Sequence, residues 1–137
     1  MAHEKFQVDV LSPEGLVWSG EAEMVSTRTA TGSIGLLANH APLLGMLDPT
    51  ELRIYESESE VIRFAQGEGY VQVGGNRALL LVEEGRAPND LDASDLRDRL
   101  QRAERELESA DEDSEEARVA DRDKRRWETF LEIAEGS

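Results

Sequence analysis

The chain has 137 residues, with 30 Asp and Glu against 15 Lys and Arg, no cysteine and a formal net charge of −15. That acidity excludes a general nucleic-acid binder, which needs a basic face to displace counterions from phosphate, and equally a protein held on anionic lipid by charge. The missing cysteines exclude a disulfide scaffold, an iron–sulfur protein, a thiolate zinc site and a cysteine nucleophile. No apolar run approaches a membrane span, and the start Met1-Ala2-His3-Glu4-Lys5 lacks the features of a leader, so the expectation is a soluble intracellular protein with one modest core.

In chain order, Phe6, Val8 and Val10 alternate with Gln7 and Asp9, the period of a half-buried strand. Ser12-Pro13-Glu14-Gly15 is turn chemistry, and Val17-Trp18 and Ala22 to Thr27 read as further short strands. Gly32-Ser33-Ile34-Gly35 has neither nucleophile-elbow nor phosphate-loop spacing, and its glycines predict a tight turn at one end of a sandwich. Asn39-His40-Ala41-Pro42 predicts a loop before an apolar segment. Leu52 with Ile54, and Val61-Ile62 with Phe64, predict two strands joined through Glu56-Ser57-Glu58-Ser59. Gly69 to Val73 alternates again, Gly74-Gly75-Asn76 suits a hairpin turn, and Ala78 to Val82 returns as a nearly continuous apolar strand. Eight to ten short strands of this kind predict a sandwich or flattened barrel.

The composition then shifts. Residues 1–88 carry 19 charged side chains and residues 89–137 carry 26, while ten of eleven glycines and all four prolines fall in the first stretch. Gly85 to Asp90 is the expected linker. Beyond it, Leu96, Leu100, Ala103, Leu107 and Ala110 step by fours and threes, with Asp92 or Ser94 as N-cap. Ala117, Ala120, Lys124, Trp127, Leu131 and Ala134 step likewise after the acidic run Asp111 to Glu116. The fold expected is therefore α+β: an antiparallel β-sandwich over 1–88, then an antiparallel helical hairpin over 89–137. A hairpin this charged, with so thin a stripe, needs a partner surface.

Little here proposes catalysis. His3 lies in an expected frayed terminus, and His40 has no nucleophile or carboxylate orienter near it in sequence. Asp111 to Glu116 lacks the order and central glycine of an EF-hand loop, so no metal and no cofactor are expected. Lys124-Arg125-Arg126 beside Trp127 is the one basic run, a candidate docking patch for an acidic partner. The residues by themselves point to an interface rather than an active site, and leave open a sandwich adaptor with a self-associating hairpin or a small carboxylate hydrolase without a paired-acid pocket to support it.

A family resemblance supplies a third reading. Gly32-Ser33-Ile34-Gly35-Leu36-Leu37-Ala38-Asn39-His40-Ala41-Pro42-Leu43-Leu44 resembles the signature of the ε subunit of F-type ATP synthases. Phe6 to Glu14 and Gly67 to Val73 resemble further stretches of that family, and the order sandwich then hairpin agrees. Ser33 replaces the family's usual acidic residue, and Asn39 stands where glycine is common. The resemblance implies a non-catalytic rotor subunit that grips the central-stalk γ subunit, rests on the ring of c subunits and transiently meets the α/β catalytic head. It would sit peripherally on the cytoplasmic face of a bacterial plasma membrane, without inserting into lipid. Thr31, Gly32, Ser33, Ile34, Gly35, His40 and Pro42 would form a ring-facing loop; Lys124, Arg125, Arg126 and Trp127 would mark a hairpin that restrains ATP hydrolysis. In some members an ATP motif opens the first C-terminal helix. Here that stretch includes Leu91, Asp92, Asp95 and Leu96, with Asp95 where arginine would meet phosphate, so no nucleotide is expected to bind.

Overall fold

The structure, a computed structural model, describes residues 3–136; Met1 and Ala2, from the start read as no leader, and Ser137, the last residue of the expected hairpin region, lie outside them. The backbone divides into two compact units, residues 1–87 and 88–137, each taken here by itself.

The first unit is all β. Its strands are β1 (Phe6–Ser12), β2 (Gly15–Ala22), β3 (Met24–Thr29), β4 (Gly32–Leu37), β5 (Leu43–Leu47), β6 (Thr50–Tyr55), β7 (Val61–Gln66), β8 (Gly69–Gly74), β9 (Arg77–Val82) and β10 (Gly85–Arg86). They form one folded sheet in the order β10-β7-β6-β3-β5-β8-β9-β1-β2, with β4 on β3. Every pairing is antiparallel except β1 with β9, and a bulge interrupts β1 and β2 between Val10 and Leu11. Phe6, Val8, Val10, Leu52, Ile54, Val71, Val73, Leu80 and Val82 alternate into a single buried core, as their period requires. Gly75 and Asn76 turn β8 into β9 with φ of 56° and 58°, the left-handed pair of a two-residue hairpin.

The sheet closes where the chain bends between β5 and β6. β5 pairs with β8, whereas β6 pairs with β7 and β3, so Asp48 and Pro49 carry the chain from one layer to the other. The buried Gln66 side chain braces that corner. Its Oε1 accepts from Thr27 Oγ1 at 2.6 Å, and its Nε2 donates to the Asp48 carbonyl at 2.9 Å.

The second unit begins with a single 3₁₀ turn at Pro88–Asp90, followed by α1 (Ala93–Ser109) and α2 (Glu115–Gly136). Asp92 caps α1, accepting from the Ser94 and Asp95 amides, and Ser114 Oγ accepts from the Ala117 amide at the start of α2. Arg97 of α1 pairs with Glu135 of α2 at 3.0 Å.

Three sequence expectations change. Gly32 to Gly35 is not a turn but the first part of β4; the turn is Ala30-Thr31, and Gly35 has ordinary extended backbone. The expected linker is largely structured, because Gly85 and Arg86 pair with Gln66 and Ala65 of β7. In α2 the buried residues are Ala120, Trp127, Phe130 and Ile133, while Leu131 and Ala134 are half-buried. After Trp127 the apolar stripe advances by three residues rather than four, which puts the larger Phe130 at its centre. Replacing Gln66 with Leu strands the buried Thr27 hydroxyl and removes the donor that Gln66 supplies to the Asp48 carbonyl. Urea unfolding should show a loss of about 1–3 kcal/mol with an unchanged m-value.

Candidate functional site

The interaction surface of the sandwich can be built from register alone. Cross-strand partners run Met46 to Tyr70, Tyr70 to Leu81, Leu81 to Leu11 and Leu11 to Leu16, through β5, β8, β9, β1 and β2. All five side chains point away from the core. Met46, Tyr70, Leu81 and Leu16 are 59, 55, 45 and 64% exposed. The file crosses five strands, about 19 Å at about 4.8 Å per strand. Leu44, 75% exposed, extends it on β5. A soluble surface scatters such groups singly; here they stand in adjacent register positions, and that continuity marks an interaction face.

The next outward positions are polar and self-contained. Asp9 Oδ1 accepts from Ser19 Oγ at 2.6 Å and from Gln7 Nε2 at 3.0 Å, and Oδ2 lies 3.5 Å from Arg77. The Ser19 hydroxyl and then the Gln7 amide hold the Asp9 carboxyl below the usual carboxylate range against the opposing effect of burial, and Arg77 adds to them. An open cleft of about 380 Å³ lies here, lined by Asp9, Gln72, Gly74, Arg77, Ala78 and Leu79.

The residues singled out from sequence fall in separate places. Thr31 lies in the β3–β4 turn, and Gly32, Ser33, Ile34 and Gly35 lie in β4. His40 and Pro42 lie beyond the far end of that strand, so the seven do not form one loop. His40 Nδ1 is 2.7 Å from the Ala41 carbonyl oxygen. Asn39, at φ 61°, donates its amide to Asn76 Oδ1 and its side-chain nitrogen to Glu4, tying this loop to the β8–β9 turn.

In the hairpin, Lys124, Arg125 and Arg126 are consecutive and point about 100° apart around α2. Arg126 lies over the Trp127 ring at 5.2 Å, Arg99 of α1 lies over it at 5.1 Å, and Phe130 meets it edge-on at 5.9 Å. Trp127 is therefore an anchor between the two helices. At the degenerate nucleotide motif, Leu91 donates its amide to the Pro88 carbonyl and Asp92 is occupied by its cap. Asp95 pairs with Arg99 at 2.8 Å, and Leu96 is buried. Sequence reasoning missed the apolar file. Its signal was present where alternation fails, in Leu43-Leu44-Gly45-Met46-Leu47 and Leu79-Leu80-Leu81.

Fold and face together define a β-sandwich followed by a helical hairpin, whose most distinctive surface is a flat apolar file. The family "ATP synthase, Delta/Epsilon chain, beta-sandwich domain" matches residues 5–87. The ATP synthase epsilon chain of Persephonella marina is 36% identical over 130 residues, covering 94% of this chain and 96% of that one. The ATP synthase epsilon chain of Streptomyces avermitilis is 37% identical over 106 residues, covering 77% and 80%. This chain belongs to the ATP synthase delta/epsilon chain family. A chain of the Euglena gracilis mitochondrial ATP synthase shares the fold, with a TM-score of 0.74 at 19% identity over 96% of this chain and 80% of that one.

The Asp9 cluster gives a pH-dependent expectation. A depressed native pKa stabilises the fold above the unfolded carboxyl value of about 3.9, and the contribution is lost as pH falls through the lower native value. Asp9→Asn should therefore lower the melting temperature at pH 7, and the gap from the parent should narrow below about pH 4.

Proposed function

We propose that the chain is a non-catalytic rotor subunit of an F-type ATP synthase, whose sandwich docks on the central-stalk γ subunit through the outward apolar file. The observation that carries this is the file itself: Met46, Tyr70, Leu81, Leu11 and Leu16 in continuous register, in a chain of net charge −15. Burying such a row against a complementary surface supplies association energy without desolvating charge. A rigid sheet face suits a part that must carry torque, because a packed interior transmits strain instead of absorbing it.

The expected ring-facing loop is divided by β4, so only one of its ends faces the c-ring in this reading. We assign that role to Thr31 and Gly32, whose turn is small, exposed at Thr31 and uncharged. His40 and Pro42 belong to the opposite end, beside Asn39 and Asn76. Proton flow turns the ring, and this subunit with γ carries the rotation to the α/β head. No helix among the described residues is long and apolar enough to cross a membrane. In this reading the subunit is peripheral, held by the complex on the cytoplasmic face of a bacterial plasma membrane. The hairpin is read as the regulatory element that restrains ATP hydrolysis.

Met46→Glu with Leu81→Glu, two strands apart on either side of Tyr70, tests the docking face. Both side chains are outward, so the isolated variant should melt as the parent does. Its affinity for γ in a reconstituted stalk should fall by at least about a hundredfold, some 2.7 kcal/mol; unchanged affinity would refute the assignment. In the same assembly, a cysteine introduced at Thr31 of this cysteine-free chain should cross-link to the ring, and one at His40 should not.

For the hairpin, reversing Lys124 and Arg125 to Glu leaves the Arg126–Trp127 stack in place. ATP hydrolysis by the reassembled complex should rise while the helical circular dichroism of the free chain is unchanged. An unaltered rate would remove these two residues from the regulatory role.

A further inference from the structure

β4 is a sheet edge without the usual guards. It pairs with β3 on one side, and no strand among the described residues pairs with it on the other. Thr29 and Gly32 close a two-residue turn, so the hydrogen-bonded pairs of this hairpin are Thr29–Gly32, Thr27–Ile34 and Val25–Leu36. Ser33, Gly35 and Leu37 consequently direct their main-chain N–H groups to the open edge, as do the Ser33 and Gly35 carbonyls. The Leu37 carbonyl accepts from the His40 amide.

Natural edges are blunted by charge, proline, bulges or shortness. The free edge strand β2 has a bulge and an exposed Glu21, and β10 is two residues long with Arg86. β4 runs Gly-Ser-Ile-Gly-Leu-Leu, six residues with no charge, proline or bulge, in a chain that is 33% charged. Gly35 adds an independent observation. Its φ is not positive, and a Cβ built there would meet nothing within 4 Å. A mid-strand glycine lowers stability, and nothing inside this chain requires one at position 35. Room is left on the outside, between the exposed Ser33 and Leu37.

We propose that β4 receives an extended segment of a basic partner protein, added as a further strand along Ser33, Gly35 and Leu37. Main-chain pairing supplies the affinity, and Gly35 allows the close approach. Charge decides the occupant. Two copies of a chain with net charge −15 repel each other, whereas a cationic partner is attracted to the chain as a whole.

The inference rests on the reading that this chain works within a larger assembly. It is tested by amide hydrogen exchange on the full chain, free and within the reconstituted γ–c-ring complex. In the free chain the Ser33 and Gly35 amides should exchange quickly, while those of Ile34 and Leu36, committed to β3, exchange slowly. In the complex, exchange at Ser33 and Gly35 should slow on the order of a hundredfold. Ser33→Pro, which removes an edge N–H and spares the β3 ladder, should weaken association by about tenfold, and Ser33→Ala should leave it unchanged. If the chain is retained in the complex but Ser33 and Gly35 still exchange as in the free chain, this inference fails and the rotor reading stands. If the chain is not retained, both fail. Protection that appears in the free chain as its concentration rises would mean that a second copy fills the edge, and would overturn the proposal.

Discussion

The sandwich depends on one bend. Between Leu47 and Thr50 the chain leaves the β8 side of the sheet for the β7 side, and its main chain must turn a corner against the core. A carbonyl at such a corner cannot reach a regular ladder partner, and leaving it unpaired costs as much as a lost core contact. Gln66 resolves this with one amide group, accepting from Thr27 and donating to the Asp48 carbonyl while 1% exposed. With that corner fixed, β5 continues into β8, β9, β1 and β2, and the outward register of all five strands follows.

That register explains why the distinctive face is flat. Met46, Tyr70, Leu81, Leu11 and Leu16 do not converge on a cavity; they stand side by side because successive strands repeat at one spacing. Inward, the same strands present Val71, Val73, Leu80 and Val10 to the core. The sheet is thus apolar on both faces at this row, an arrangement that is stable in water only when one face meets a partner or is short enough to be tolerated.

Most of the parts of the fold that were legible from sequence have one wet, polar face; β9 is the exception, an apolar run marked out by the Gly74-Gly75-Asn76 turn before it. Phe6, Val8 and Val10 against Gln7 and Asp9 define β1 without ambiguity, and Gly75-Asn76 announces its hairpin. β5 was hidden because its outward Leu44 and Met46 are as apolar as its inward Leu43 and Leu47, which erases the period of two. The interaction face and the failure of the pattern are one fact. β4 was hidden for another reason: Gly32 and Gly35 read as turn residues, yet only Gly32, at φ 132°, has a conformation that demands glycine. In the hairpin, both Phe130 and Leu131 lie within the arc that a helical stripe can cover. Sequence spacing could not choose between a step of three and a step of four until the packing around Trp127 did so.

The Trp127 cluster has an optical consequence. The chain contains two tryptophans, and they fall in different units: Trp18 against the sandwich core and Trp127 between Arg99, Arg126 and Phe130 in the hairpin. An indole held between two guanidinium groups sits in a strong local field, and its emission responds when either cation departs. With Trp18 exchanged for phenylalanine, the remaining tryptophan emission, excited to the red of Tyr55 and Tyr70, belongs to the hairpin alone. The molecule thus carries a built-in reporter whose colour follows the two helices during assembly and turnover, with no added dye.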